Sequence, residues 1–592
     1  MSYAPTETWD LEPLFPGGPG GSAFLHEAES IEAELRDLIR RSDALPVRPH
    51  PADLASVLLH LERVSERLSM VSTFAGCSVA ADANGKAALR AQSKASELGT
   101  LYGRASVAPT ARILHQTEAE FEALLAFPDI AHMQNYLKDQ RRLGRLRLPE
   151  AEETLANELT RDGVIGWGEL YDLKAGALKI RIDRGNGPEE LSPGQASPLL
   201  SHPDATLRET AYDALQGAWR TIYPECAKVL THITGTRQVL NDRRRLDPLE
   251  EPLAGARVER STVEALMAAS RGARPLLNRY LKAKAKALGK TELAWTDIGA
   301  PLGKADDGAA YPAAQAFIVD QFAGFSTDLA EFARRALKEK WIEVEDRPGK
   351  RGGGFCAEVP ALRQSRIFMT WGNNARSVAT LAHELGHAYH NHVLYVLPSS
   401  QRRVPMTLAE TASTFGETLV REASLAATTD PDVKLRLLDA SLGDALAYLA
   451  NVPARFELEQ ALYRMRCEGP LDPEALEQET TAIFRRWYGT SIASVDSTFW
   501  ASKLHFYIPE LAFYNFPYTF GYLFSALVYE FYKPQGRAGA PGYVGLLRRT
   551  GDEWAERVAA DALGVELSDP ETWTAALGGV KRDLAAFEKL VG

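Results

Sequence analysis

Cysteine is scarce in this 592-residue chain: Cys77, Cys226, Cys356 and Cys467 stand far apart and form no C-x-x-C pair. That excludes a disulfide framework and a thiolate zinc site, and it points to a reducing compartment, the cytoplasm. An excess of basic charge is also missing. Sixty-seven Lys and Arg against 78 Asp and Glu leave a net charge of −11, so the composition offers no electrostatic footprint for nucleic acid or anionic lipid. The one dense basic run, Arg243 to Arg245, reads as the solvated end of a helix. The first residues lack the basic and apolar regions of a signal peptide, so none is expected. Long apolar runs are few. Leu511 to Tyr529 carries no charge and is about long enough to cross a bilayer. However, Asn515, Pro517, Thr519, Ser525 and four tyrosines make it too polar for lipid, and no membrane partner is expected.

What the chain does have is helical periodicity. After a Gly- and Pro-rich opening that reads as an arm, residues from about Phe24 to Phe127 place apolar side chains at three- and four-residue spacing. The period changes at Leu178 to Pro193. There Ile180 and Ile182 alternate with charged residues, and Gly185 to Pro188 is a strong turn signal, so a small hairpin is expected. Pro193, Pro198 and Pro203 punctuate a boundary, after which helices resume from Thr206 to Arg244. Between Trp341 and Trp371 the signal turns to β: Trp341 to Asp346 alternates, a glycine-rich connection follows, and Ser365 to Trp371 reads as a strand of large apolar residues. Asn373, Asn374 and Ser377 then offer helix caps, and Val378, Leu381, Ala382, Leu385 and Ala388 recur with helical spacing.

That helix carries His383-Glu384-Leu385-Gly386-His387, an H-E-x-x-H motif. Residues four apart project from one helix face, so both imidazoles can share one metal ion. Glu384, beside that face, is suited to take a proton from a water that zinc has acidified. A catalytic site needs a third ligand. A metzincin would have a histidine at position 393, which is Val. His390 and His392 are near in sequence, but the same short helix would then have to supply every ligand. Glu410, on a second helix that starts after Pro405, is the better donor, because a downstream carboxylate can complete a two-histidine, one-glutamate site. Thr407 to Glu410 is also a capping box, in which the glutamate would only satisfy a backbone N–H. Ser413 and Glu417 follow at i+3 and i+7, either as partners of the ligands or as a solvated face.

These motifs together resemble the thimet-oligopeptidase-like zinc peptidases, specifically their oligoendopeptidase F branch. The resemblance rests on the H-E-L-G-H helix, the Ala409 to Glu417 stretch, the opening Trp9 to Phe15, the Gly352 to Cys356 segment leading to Arg366–Trp371, and the late histidine- and tyrosine-rich segment. It implies a mainly α, two-lobed helical shell around a deep substrate channel, with a small β-sheet next to the metal-binding helix. An N-terminal helical lobe would span 1–192 and the catalytic domain 193–592. The implied activity is cleavage of internal bonds in oligopeptides with one Zn²⁺ per chain. His383, His387 and Glu410 match the zinc ligands and Glu384 the general base. Arg366 to Trp371, and with it Phe368, Met369 and Thr370, matches an edge strand that pairs with substrate backbone; an internal strand of a small sheet is the alternative. His505 and Tyr522 match donors to the oxyanion. The second tyrosine is ambiguous: Tyr514 or Tyr518 could fill it, Tyr518 as a catalytic donor or Tyr514 as a substrate contact. A metallocarboxypeptidase of similar shell and a non-catalytic, zinc-containing peptide-binding protein are the rival readings. The oligomeric state stays open.

Overall fold

The computed structural model describes residues 5–183, 187–303 and 310–592. It is 73% helical. No described helix is long and apolar enough to cross a membrane. Among the described residues, five short strands form two sheets: β1 (Ile180–Asp183), β2 (Pro188–Leu191), β3 (Ile342–Glu343), β4 (Phe355–Val359) and β5 (Gln364–Phe368). The chain gathers into two compact units, each assembled from three separated stretches: Met1–Arg145, Asp306–Ala426 and Ser525–Val565 in the first, and Leu146–Ala305, Ala427–Phe524 and Glu566–Gly592 in the second.

In the first unit, α1 (Ser22–Asp43), α2 (Pro51–Ala81) and α3 (Lys86–His115) realise the early periodicity. Phe24, Ile31, Leu35 and Leu38 of α1 meet Leu54, Val64, Val71 and Phe74 of α2 and Ala91, Ala95 and Leu98 of α3 in one buried cluster, each large side chain there stabilising the fold by about 1.5–3 kcal/mol. The sheet of this unit has the order β3-β5-β4, with β3 parallel and β4 antiparallel to β5.

That order corrects the edge-strand expectation. β5 is the middle strand. On one side the amides of Ile367, Met369 and Trp371 donate to the carbonyls of Trp341, Glu343 and Val344 at 2.9, 3.0 and 3.0 Å. On the other, β4 pairs with it from Phe355 opposite Phe368 to Val359 opposite Gln364. The carbonyl of Met369 accepts from Lys350 Nζ at 2.6 Å. Phe368 and Met369 therefore have no backbone free to pair with substrate, and Thr370 lies beyond the strand. Burial agrees with this place: Ser365 to Met369 are buried without a break, as a central strand is and a half-exposed edge is not.

The alternation at Trp341 to Asp346 also misleads, because Trp341, Ile342, Glu343 and Val344 are all buried. Glu343 is tolerated inside because it pairs with Arg347 and with Lys350 at 3.6 Å and accepts from the Trp9 amide at 3.3 Å. Trp9 stacks obliquely on Phe355 and Phe368, and the Asp10 amide donates to Lys340 at 2.8 Å. The expected N-terminal arm is thus pinned against this sheet.

In the second unit the expected hairpin forms as β1 and β2, with Ile180 and Ile182 buried and Arg181 and Asp183 exposed. The turn residues Gly185 and Asn186 lie outside the described residues. Helix Arg260–Ala287 buries Tyr280 and Lys284, which share the Asp439 carboxylate at 2.7 and 2.9 Å.

Candidate active site

α4 (Ala375–Leu394) starts where Asn374 Oδ1 accepts from the Ser377 amide at 2.9 Å, a side-chain N-cap of the expected kind. Two turns further on, His383 and His387 sit one turn apart with ring centroids 4.9 Å apart. Their Nε2 atoms converge on one oxygen, Glu410 Oε2, at 3.2 and 3.4 Å. Glu410 stands at the break between α5 (Met406–Ala409) and α6 (Thr411–Ala427). It closes α5 rather than entering its first turn, and Pro405 is the N-cap, so the capping-box alternative falls.

One donor atom from each of these three residues lies within 4.8 Å of the others, as a small tetrahedral ion requires. The surroundings fit a divalent cation. His383 Nδ1 is 3.0 Å from Glu417 Oε2, which fixes the ring and leaves Nε2 for a ligand role. Ser413 Oγ donates to Glu410 Oε2 at 2.8 Å, and Ser525 Oγ donates to the Glu410 carbonyl at 2.8 Å. Burial opposes charge on His383, yet the facing Glu410 and Glu417 carboxylates outweigh it and raise His383 to about 10. Burial likewise opposes charge on Glu410, but the two imidazoles hold it far below the usual carboxylate range. Two carboxylates around two imidazoles form a site that stabilises positive charge.

Glu384 is 7% exposed, and its Oε2 makes no hydrogen bond among the described residues. Burial raises its affinity for a proton, with His387 and His383 pulling the other way. A buried carboxylate with an unused oxygen, which feels the charges of His387, His383 and Glu410, has the character of a general base. His390 is elsewhere engaged: its Nε2 lies 2.7 Å from Thr550 Oγ1, and burial lowers it to about 4. The ring of His392 packs 4.9 Å from that of Phe332.

Two glycines missed in the sequence shape this centre. A Cβ on Gly386 would lie 2.5 Å from the Ala412 carbonyl oxygen and 2.6 Å from Ser413 Cα, so only glycine lets α4 and α6 touch backbone to backbone here. A Cβ on Gly354 would lie 3.6 Å from Glu384 Oε1, so the start of β4, the edge of the sheet, runs beside the carboxylate.

The late residues form a second group, in the other unit. His505 lies in a short 3₁₀ turn, Leu504–Tyr507, and Tyr518 and Tyr522 lie on α7 (Phe516–Tyr532). The His505 ring meets Tyr514 edge-on at 5.1 Å and stacks on Tyr518 at 5.8 Å. Tyr514 meets Tyr518 at 5.6 Å. Tyr522 is not in this trio; it stacks on Tyr448 at 4.9 Å. Tyr514, Tyr518 and Tyr522 recur every four residues and are half-buried, whereas Phe516, Phe520, Leu523 and Phe524 are buried. The helix thus turns its apolar face inward and keeps a tyrosine stripe accessible.

Sequence reasoning also missed the clamp on the loop between His505 and α7. Arg237 Nη2 donates to the carbonyls of Ile508, Pro509 and Leu511 at 2.7, 3.0 and 2.8 Å. Glu459 Oε1 accepts from the Phe513 amide at 2.6 Å. Phe513 adopts a left-handed φ of 52°, a conformation that favours glycine and costs about 1–2 kcal/mol elsewhere.

Two family profiles match the chain, one described as peptidase family M3 over residues 325–578 and one as oligopeptidase F over residues 112–180. Oligopeptidase PepF of Bacillus subtilis is 23% identical, the match covering 99% of this chain and 87% of the relative. Group B oligopeptidase PepB of Streptococcus agalactiae is 24% identical over 98% of this chain and 97% of its own. The crystal structure of oligoendopeptidase-F from Enterococcus faecium shares the fold with a TM-score of 0.72 and 17% identity, over 96% of this chain and 98% of that one.

Proposed function

The chain belongs to peptidase family M3, in its oligopeptidase F branch, and is a metalloendopeptidase of oligopeptides; on that premise we propose that its metal is one zinc ion held by His383, His387 and Glu410. The observation that carries the reading is the convergence of both imidazole Nε2 atoms on Glu410 Oε2, with Glu384, one oxygen of which is unused, within electrostatic reach of all three residues. When bound, zinc supplies a Lewis acid that brings the pKa of a water towards 7 and polarises a carbonyl. Glu384 takes the proton of the attacking water and later passes it to the leaving amine. His505 and Tyr522 donate to the carbonyl oxygen as it gains charge, Tyr518 serves as a further donor, and Tyr514 contacts the substrate. The edge of β4 takes over the role expected of Arg366 to Trp371. An extended peptide adds to it by backbone pairing, which is indifferent to side chains. Four free cysteines, Cys77 and Cys226 buried among them, favour a reducing compartment, and we assign the enzyme to the cytoplasm.

The test is digestion of peptides of about five to twenty residues, some C-terminally blocked, with and without a chelator, read by mass spectrometry. Internal cuts that vanish with chelator and return with zinc are expected, and Glu384→Gln should keep zinc while losing turnover by roughly 10²–10⁴-fold. Blocked peptides left whole while free ones lose C-terminal residues would instead establish a carboxypeptidase.

A further inference from the structure

His505 can donate a hydrogen bond to substrate only if its proton sits on the nitrogen that faces outward. Burial, reinforced by Lys503 and Arg455 and opposed by a hydrogen bond to Asn515, lowers His505 to about 4, so at neutral pH the ring is uncharged and carries a single N–H. Which nitrogen holds it is decided by the neighbour of the other. The neighbour of Nδ1 is the Asn515 carboxamide, whose Oδ1 lies 2.8 Å away. Asn515 is fully buried, and its Nδ2 has no hydrogen-bond partner among the described residues.

In that orientation Nδ1 would carry the proton and Nε2 would be a bare acceptor, unable to support an oxyanion. A half-turn of the carboxamide exchanges O and N without moving another atom. It replaces a buried amino group with no partner by one that donates to Nδ1, and leaves instead a carbonyl oxygen under-satisfied, the less costly defect of the two. The backbone on either side is fixed. The Asn515 carbonyl accepts from the Tyr518 amide at 3.1 Å, and Glu459 holds Phe513 two residues before it. The side chain therefore has a set place against the ring and no competing partner.

We propose that Asn515 is a positioning residue: its Nδ2–H donates to Nδ1 of His505, which confines the histidine proton to Nε2 and makes the neutral imidazole a hydrogen-bond donor towards the substrate carbonyl. The inference rests on the role given to His505 in the proposed function. It adds the residue that determines whether His505 can fill that role.

Two measurements test it. In the first, ¹⁵N NMR of the full-length zinc enzyme labelled at histidine, with the His505 signal assigned by its loss in His505→Gln, reports the tautomer without reference to activity. The wild type is expected to carry the proton on Nε2; a proton on Nδ1 overturns the proposal. In the second, Asn515→Asp replaces the amide by a group that only accepts, which moves the proton to Nδ1. kcat should fall roughly 10²–10³-fold, the loss typical of one oxyanion donor, with KM changed by less than about threefold, because a donor that engages only as charge develops acts on kcat and not on ground-state binding. An Asn515→Asp enzyme with wild-type kcat overturns the proposal. If that variant fails to fold, the wild-type tautomer alone decides. A wild type that cuts no peptide defeats the proposed function instead, while the tautomer still reports on Asn515.

Discussion

Replacing Gly386 by alanine tests how the metal centre is built. The substitution looks benign in a helix, where alanine is favoured over glycine by about 1 kcal/mol. The added methyl, however, would meet backbone, 2.5 Å from the Ala412 carbonyl oxygen and 2.6 Å from Ser413 Cα. Carbon atoms pack at about 3.5–4 Å, so α4 and α6 would have to part by about 1 Å. Overpacking of this kind costs about 1–3 kcal/mol, which the helix propensity partly offsets, so stability should change little. The metal centre should change more. Glu410 is two residues before Ala412, and His383 and His387 flank position 386, so the separation acts directly on the distance between the proposed ligands. Metal sites tolerate about 0.2 Å, and a misplacement of 1 Å costs on the order of 10² in rate. Gly386→Ala should therefore lose about 10²-fold in kcat/KM and at least about tenfold in zinc affinity by chelator competition. Gly99→Ala is the control. Gly99 is exposed in α3 with nothing within 4 Å of its would-be Cβ, and the change should be neutral or stabilise by up to about 1 kcal/mol. Wild-type zinc affinity and turnover in Gly386→Ala would refute the close-approach argument.

Glu417→Gln removes the charge that faces His383 Nδ1 at 3.0 Å, and chelator competition should show zinc affinity weakened by roughly 10–100-fold; an unchanged affinity would make Glu417 a bystander. Glu410→Ala should abolish stoichiometric zinc at limiting metal, and one zinc per chain in that variant would remove Glu410 from the ligand set. Burial raises Glu459 to about 7 against the pull of Arg237 and the Phe513 amide, so between about pH 4.5 and 7 the folded chain holds a proton that the unfolded chain releases, and stability falls as pH rises through that window, by roughly 3 kcal/mol in all. Glu459→Gln keeps an acceptor for Phe513 but does not titrate; its melting temperature relative to wild type should be higher at pH 8 than at pH 5, and an equal difference at both pH values would contradict the assignment.

The parts of the site that could be read from sequence are those whose partners lie within a helical turn or two. His383, Glu384 and His387 follow from spacing alone, and the cap at Asn374 follows from local hydrogen-bonding habit. Glu410 was ambiguous for a physical reason: a carboxylate three residues after a threonine suits a helix start and a metal equally, and only the break of the helix at Glu410 separates the two. The strand Ser365 to Trp371 was legible as a strand but not as a central one, because strand order depends on Trp341–Val344 and Phe355–Val359, paired through contacts that no local pattern encodes.

The loop before α7 was the least legible part, and its physics differs. Arg237 and Glu459 are remote in sequence from the segment that they hold, and each makes its contacts with backbone groups, which every sequence presents alike. A phenylalanine with left-handed φ is unfavourable by itself, so it persists only where surrounding bonds over-determine it. Here three carbonyls on one guanidinium and one amide on a buried carboxylate supply that constraint, and Phe513 stacks on Tyr463 with ring centroids 5.4 Å apart. The strained residue immediately precedes Tyr514 and Asn515, the two residues that touch the His505 ring from its own loop. Strain at the root of the histidine–tyrosine cluster, held by groups that take no part in the cluster, is what the donor role proposed for His505 requires, because a donor set must be fixed in place before charge develops on the substrate.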